Sequence, residues 1–167
     1  MKLKKIALGV VTAFSALALV ACGSSANKTD SLAAIQEKGK LVVAVSPDYA
    51  PFEFRALVDG KDTVVGSDID LAKAIADELG VELELSTMNF DNVLSSLQNG
   101  KADIAISGLS YTEDRAKVYD FSESYYTTEN AILVAKDKVS NYKDLKDFSG
   151  KNIGVLKGSI EESMSRE

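Results

Sequence analysis

Sixteen uncharged residues, Ile6 to Ala21, open the apolar pattern, and a polar stretch then separates them from the next apolar run at Leu41. Lys40-Leu-Val-Val-Ala-Val-Ser46 is short, valine-rich and nearly continuous, the signature of a strand buried on both faces. Ile69, Ala72, Ile75, Ala76 and Leu79 fall at helical spacing, so the pattern predicts a helix capped by Ser67 and stopped by Gly80. Val81 to Ser86 alternates apolar and acidic residues, which predicts a sheet-edge strand with one wet face. A second helix is expected from a cap at Asp91, with Val93, Leu94 and Leu97 on one side and Asn99-Gly100 at its end. Ala102 to Ser107 reads as a third, buried strand. Strand, helix, strand, helix, strand predicts right-handed parallel crossovers. Ligands of open α/β sheets gather beyond the carboxyl ends of such strands, which directs attention to Ser46–Phe54 and Ser107–Arg115.

After Asp120 the texture changes. Ala131 to Ala135 reads as a strand, Tyr142 to Phe148 as a short helix, Asn152 to Leu156 as another strand, and Gly158-Ser159 as the opening of a helix from Ile160. One strand and part of a helix cannot bury a core of their own. A second α/β unit is therefore expected here in incomplete form, with truncation preferred over completion by another chain.

The leading segment has the layout of a targeting signal: basic Met1–Lys5, an apolar middle, small residues at the end. Sixteen apolar positions diluted by Gly9, Thr12 and Ser15 are short for a permanent membrane span. Leu19-Val-Ala-Cys22 resembles the lipobox of bacterial lipoproteins, in which the cysteine becomes the lipidated first residue. Its alternative fate is that of a buried small hydrophobe. Residues 1–21 are expected to form a lipoprotein signal peptide and 22–31 a lipid-anchored tether. The mature chain would then sit on the outer face of a bacterial cytoplasmic membrane, at the cell surface or in the periplasm.

Composition narrows the function further. Acids outnumber bases by 25 to 19, a net charge of −6, and the surplus lies beyond the leader. Such a surface repels phosphate backbones, so no nucleic-acid partner is expected. The chain of 167 residues has no histidine and one cysteine, which removes histidine-based triads, Cys/His zinc sites and any intrachain disulfide. There is no Gly-rich phosphate-cradling lysine motif, no metal site and no expected cofactor.

Three places could carry chemistry. In Ser46-Pro-Asp-Tyr-Ala-Pro-Phe-Glu-Phe54, Pro47 and Pro51 stiffen a loop that presents Tyr49 for stacking on a small ligand, while Phe52 and Phe54 are assigned to packing. In Ser107-Gly-Leu-Ser-Tyr-Thr-Glu-Asp-Arg115, Gly108 permits close backbone approach and Ser110 adds a hydroxyl. Arg115 is one of three arginines; its planar fork matches a carboxylate, and its ordinary alternative is a surface ion pair with Glu113 or Asp114. Lys157-Gly-Ser-Ile-Glu161 places a helix start after a strand, a generic anion-favouring turn. The acids Glu82, Glu84, Asp68 and Asp70 read as solvated charge.

Together the lipobox, LVVAVSPDYAPFEF, VGSDIDLAKAIADELG, ADIAISGLSYTEDRAKVYDFS and GKNIGVLKGS resemble the extracellular solute-binding proteins (family 3) of polar amino-acid ABC transporters. The resemblance runs from about Leu32 to the end of the chain. It implies a type II periplasmic-binding-protein fold of class α/β, with lobe 1 over 32–130 and an incomplete lobe 2 over 131–167.

It also implies a role for each site residue. Arg115 would take the α-carboxylate of a free, polar amino acid, helped by the backbone N–H groups of Ser110 and Ser159. The Gly108 carbonyl and Ser110 hydroxyl would hold the α-ammonium. Tyr49 and Phe90 would sandwich the side chain, and Ser46 would line its pocket. Members that bind cationic amino acids often carry an acid where Ser46 stands, which argues against a strictly cationic substrate. The family's lobe-two aspartate for the α-ammonium is absent, so this chain alone is expected to bind weakly or not at all. The implied partners are an ABC permease and its ATPase, and the membrane through the lipid anchor. No catalysis is expected. The alternatives are a dehydratase-type enzyme on the same fold, or a ligand-sensing surface lipoprotein.

Overall fold

The computed structural model describes residues 31–167. The basic and apolar leader, Cys22 and nearly all of the tether lie outside the described residues, and among those described no helix is long and apolar enough to cross a membrane.

Helix α1 (Ser31–Lys38) leads into strand β1 (Lys40–Val45), which is followed by β2 (Asp48–Tyr49), β3 (Glu53–Val58) and β4 (Lys61–Val65). Helix α2 (Ser67–Leu79), strand β5 (Glu82–Thr87), helix α3 (Phe90–Gln98) and strand β6 (Ile104–Ala105) come next, then two short helices, α4 (Glu113–Ala116) and α5 (Ile160–Met164). The central sheet is parallel, in the order β5–β1–β6. β1 runs through its middle, and its period-two alternation divides the core in two. Leu41, Val43 and Val45 pack with Ile35, Ala72, Ala76 and Ile106, while Val42 and Ala44 pack with Val93 and Ala102 on the opposite face. β5 is the edge strand that its alternating sequence predicts, with Glu82 and Glu84 exposed.

Several boundaries differ from the sequence reading. Gly66, not Ser67, is the N-cap of α2, and no side chain caps the helix. Loop carbonyls do so instead: Ser67 N–H donates to Pro51 O (3.1 Å) and Asp68 N–H to Phe52 O (2.9 Å). Gly66 has φ 131°, and a Cβ there would lie 2.1 Å from the Phe52 carbonyl oxygen. Only glycine fits. Asn89 precedes α3, which puts Asp91 in its first turn rather than at its cap. β6 is shorter than Ala102–Ser107 because the Asp103 carboxylate takes the Val42 N–H (2.7 Å) beside the ladder, held by Lys38 at 2.7 Å.

The sequence reading passed over α1, which starts within the expected tether, and the antiparallel sheet β2–β3–β4. Asp59-Gly60 makes the β3–β4 turn with φ 52° and 75°, the pairing that two-residue hairpins favour.

Beyond residue 130 the expected strands do not form. Ala131–Ala135 and Asn152–Leu156 take no regular structure and pair with no strand among the described residues, and Leu133 is 98% exposed. A strand is held by its neighbours' hydrogen bonds and side chains, and among the described residues no strand pairs with either segment. The expected Tyr142–Phe148 helix is a shorter 3-10 turn, Leu145–Phe148, with Tyr142 stacked on Phe148 at 4.3 Å, and a further 3-10 segment, Lys136–Asn141, precedes it.

Candidate functional site

The two strand tips and the turn before α5 meet at one end of the parallel sheet. Ser46, buried just past the end of β1, donates twice: its N–H to Ser107 Oγ (3.0 Å) and its hydroxyl to Asp48 Oδ1 (3.2 Å). Tyr49, on β2 and 49% exposed, lays its ring over Gly108, where φ is 55° and a Cβ would lie 3.0 Å from the ring. A second ring, Phe52, stands 5.1 Å from Tyr49 and meets Tyr126 edge-on at 4.9 Å, which is the packing role expected of it.

Arg115 sits on the one-turn helix α4, whose N-cap Thr112 accepts the Arg115 N–H through its hydroxyl (3.1 Å). The guanidinium turns away from its acidic neighbours. Asp114 pairs with Lys117 at 2.6 Å, and Glu113 accepts from the Tyr111 hydroxyl at 3.4 Å. Arg115 instead donates through Nη1 to the Ser110 carbonyl (2.7 Å) and through Nη2 to the Gly158 carbonyl (3.1 Å), bridging the second tip to the turn before α5. Burial lowers its pKa from the ordinary value, with Glu161 and Tyr119 acting the opposite way. It stays charged, since a guanidinium is not deprotonated in proteins. A half-buried cation bonded only to carbonyls gains from any anion that reaches it.

The turn before α5 docks on α3. Lys157 Nζ meets Asp91 Oδ2 at 2.9 Å, and Gly158 (φ 81°) packs so tightly that a Cβ would lie 3.0 Å from Asp91 Cα. Phe90, the residue before Asp91, is half-buried at the start of α3. Ser159 is buried; its hydroxyl caps α5, and its N–H donates to the Leu156 carbonyl (3.2 Å). The Gly158 N–H already holds a carboxylate, Glu162 Oε2, at 2.7 Å. The Glu162 carboxyl is thereby kept below its ordinary range, chiefly by its hydrogen bond to Arg166 and next by the Gly158 N–H.

Beneath the tips lies a set of buried acids that the sequence reading did not find. Asp68, expected as solvated charge, is fully buried, whereas Asp70 is exposed. Its Oδ2 accepts from the Gly108 N–H (3.2 Å) and the Tyr125 hydroxyl (3.0 Å). Glu53 is 1% exposed and its Oε1 accepts from Ser107 Oγ at 2.6 Å. Burial pushes its carboxyl up to about 8; the Ser107 hydroxyl opposes the shift, and the Asp68 and Asp48 carboxylates add to it. Tyr125 is pushed well above the usual phenol value, first by burial and then by Asp68. The only sequence signal was positional: Glu53 lies between two aromatic residues at the first tip, and Asp68 in the first turn of a helix.

The chain is similar to known proteins. The profile of "Bacterial extracellular solute-binding proteins, family 3" matches residues 41–161. The arginine-binding extracellular protein ArtP of Bacillus subtilis is 40% identical over 165 residues, covering 99% of this chain and 60% of its own length. A Streptococcus pneumoniae amino-acid ABC transporter substrate-binding protein, solved with L-arginine, superposes with a TM-score of 0.77 at 58% identity. That match covers 81% of this chain and 57% of the other. The ancestral amino-acid-binding protein AncCDT-1, a precursor of cyclohexadienyl dehydratase, matches with a TM-score of 0.73 at 37% identity, covering 81% of this chain and 59% of its own. The chain thus spans about 60% of the length of the relatives it matches. Its α/β fold with a parallel central sheet is that of the type II periplasmic-binding-protein-like amino-acid binders. The chain belongs to the bacterial extracellular solute-binding proteins, family 3.

Proposed function

We propose that this protein is the amino-acid-capturing component of an ABC transporter, lipid-anchored through Cys22 outside the cytoplasmic membrane, and that it hands its ligand to a permease driven by an ATPase. The observation that carries this reading is the Arg115 guanidinium, held between the Ser110 and Gly158 carbonyls with no carboxylate partner of its own. Two of its five N–H groups are used in those bonds, and the rest of the fork is placed to take an α-carboxylate.

The other roles are those that the family resemblance implies. Residues 32–130 act as lobe 1, and 131–167 contribute to lobe 2. Ser110 supports the carboxylate through its N–H and the α-ammonium through its hydroxyl, beside the Gly108 carbonyl. Tyr49 and Phe90 flank the side chain. Ser159 joins the carboxylate site by releasing its N–H from Leu156. Ser46 lines the far end of the pocket, where its hydroxyl already holds Asp48. That carboxylate supplies two residues later the acid that position 46 lacks, which together with the arginine-bound relative at 58% identity makes L-arginine the first candidate.

No bond is made or broken. The ligand stabilises a closed form through contacts that both lobes make at once, and the closed form is what the permease reads. Differential scanning fluorimetry of the full-length protein against the twenty amino acids tests this. A cationic amino acid is expected to raise the melting temperature by the amount that RT ln(1 + [L]/Kd) sets. No shift with any amino acid, or turnover of a prephenate-like acid, contradicts it; the latter would favour a dehydratase, the chemistry for which AncCDT-1 is named a precursor.

A further inference from the structure

Glu53 and Asp68 are the two fully buried acids of the described residues, and ligand capture as set out above does not use them. They underlie its central turn. Glu53 Oε1 accepts from the Ser107 hydroxyl (2.6 Å), whose oxygen in turn accepts the Ser46 N–H (3.0 Å). Asp68 Oδ2 accepts from the Gly108 N–H (3.2 Å) and the Tyr125 hydroxyl (3.0 Å). Backbone pairing sets Glu53 opposite Tyr49, whose ring covers Gly108.

The second oxygen of each acid, Glu53 Oε2 and Asp68 Oδ1, is buried with no hydrogen-bond partner among the described residues, and Asp68 acts on Glu53 both through its charge and as a side-chain hydrogen-bonding neighbour. An ionised carboxylate only accepts. Two neighbouring buried acceptors without a donor are unstable away from water, whereas one proton between them satisfies both. We propose that Glu53 and Asp68 share one proton between Oε2 and Oδ1, and that this protonated pair positions the Ser107–Gly108 turn for ligand. The positioning half of the proposal rests on the amino-acid-binding function; the proton itself does not.

The groups that act on Glu53 are all acids or neutral: Asp48 from β2, Asp68 from α2, and the Ser107 hydroxyl from the end of β6. Tyr125 faces the same pair. Among the described residues no cation offsets a second negative charge, in keeping with the raised Glu53 value of about 8 against an ordinary 4.5. An acid whose folded value is raised holds a proton that the unfolded chain releases. This group's contribution to stability is therefore fully present below about pH 4.5, is lost as pH rises towards 8, and levels off above it. Once both acids are charged they repel, and the Gly108 N–H loses its fixed acceptor geometry.

The test is carbon-13 and amide NMR of the protein and of Glu53→Gln, from pH 5 to 9. The glutamine carbonyl can still accept from Ser107 while its amide donates to Asp68, so it mimics the protonated form permanently. In the wild type the Glu53 carboxyl carbon and the Gly108 amide are expected to titrate together with a midpoint near 8. In E53Q the Gly108 amide should stay flat. A Glu53 carboxyl carbon that titrates near 4.5, or a Gly108 titration that survives in E53Q, overturns the proposal; the wild-type titration alone decides if E53Q does not fold. In the full-length protein, affinity for L-arginine should fall between pH 7 and 9 about tenfold more in the wild type than in E53Q. Equal pH dependence of the two proteins would refute the positioning role. Absence of all amino-acid binding would count against the function, leaving the NMR titration to judge the proton.

Discussion

Residues 31–130 and 131–167 carry apolar runs of similar texture, yet they fold to different ends. LVVAV at 41–45 becomes the most buried strand of the molecule, flanked on both sides by parallel neighbours. AILVA at 131–135 is irregular and largely exposed, with no strand beside it among the described residues. The contrast shows that β-structure is a property of the pair rather than of the segment. What ties the second region down is its turn before α5, through the Arg115–Gly158 and Lys157–Asp91 contacts at the candidate site.

Hydrogen exchange should show the widest gap between the two regions. Amides of β1 are expected to exchange only through global opening, and those of 131–135 and 152–156 orders of magnitude faster. Comparable protection in both would erase the distinction. Within the first region, Gly66→Ala is the most damaging single change foreseen. Its methyl would overlap the Phe52 carbonyl at a φ that side chains avoid, so a loss of about 3 kcal/mol or more in urea unfolding is expected. Leu41→Ala, in the core, should cost about 2–5 kcal/mol. The matched change Leu133→Ala should stay within about 0.5 kcal/mol of the wild type. A large effect at Leu133 would mean that the second region has a core of its own.

The central parallel layer could be read from the hydrophobic pattern alone, because β1 is a continuous apolar run and α2, β5 and α3 each present a repeat. Helix caps were misplaced by one or two residues, since at α2 backbone carbonyls of a distant loop do the capping. The β3–β4 hairpin was missed although Asp59-Gly60 advertised it. Asp68 was misjudged for a deeper reason. An aspartate in a first helical turn is stabilised whether wet or dry, and only the fold reveals that Gly108 and Tyr125 close over it. The meeting of Ser46, Tyr49, Gly108 and Arg115 was legible because strand tips of a parallel sheet converge by topology. Arg115's choice of the Ser110 and Gly158 carbonyls over Asp114 was not, because Lys117 takes Asp114 first.

Whether Arg115 reads an α-carboxylate is decided by calorimetry of the full-length protein with L-arginine and with agmatine, the same molecule without that carboxylate. The wild type should bind L-arginine alone, and Arg115→Ala should weaken that binding by at least about thirtyfold, the loss of one desolvated charge pair. Equal affinity of the wild type for both compounds, or an unchanged affinity in the variant, would contradict the assignment.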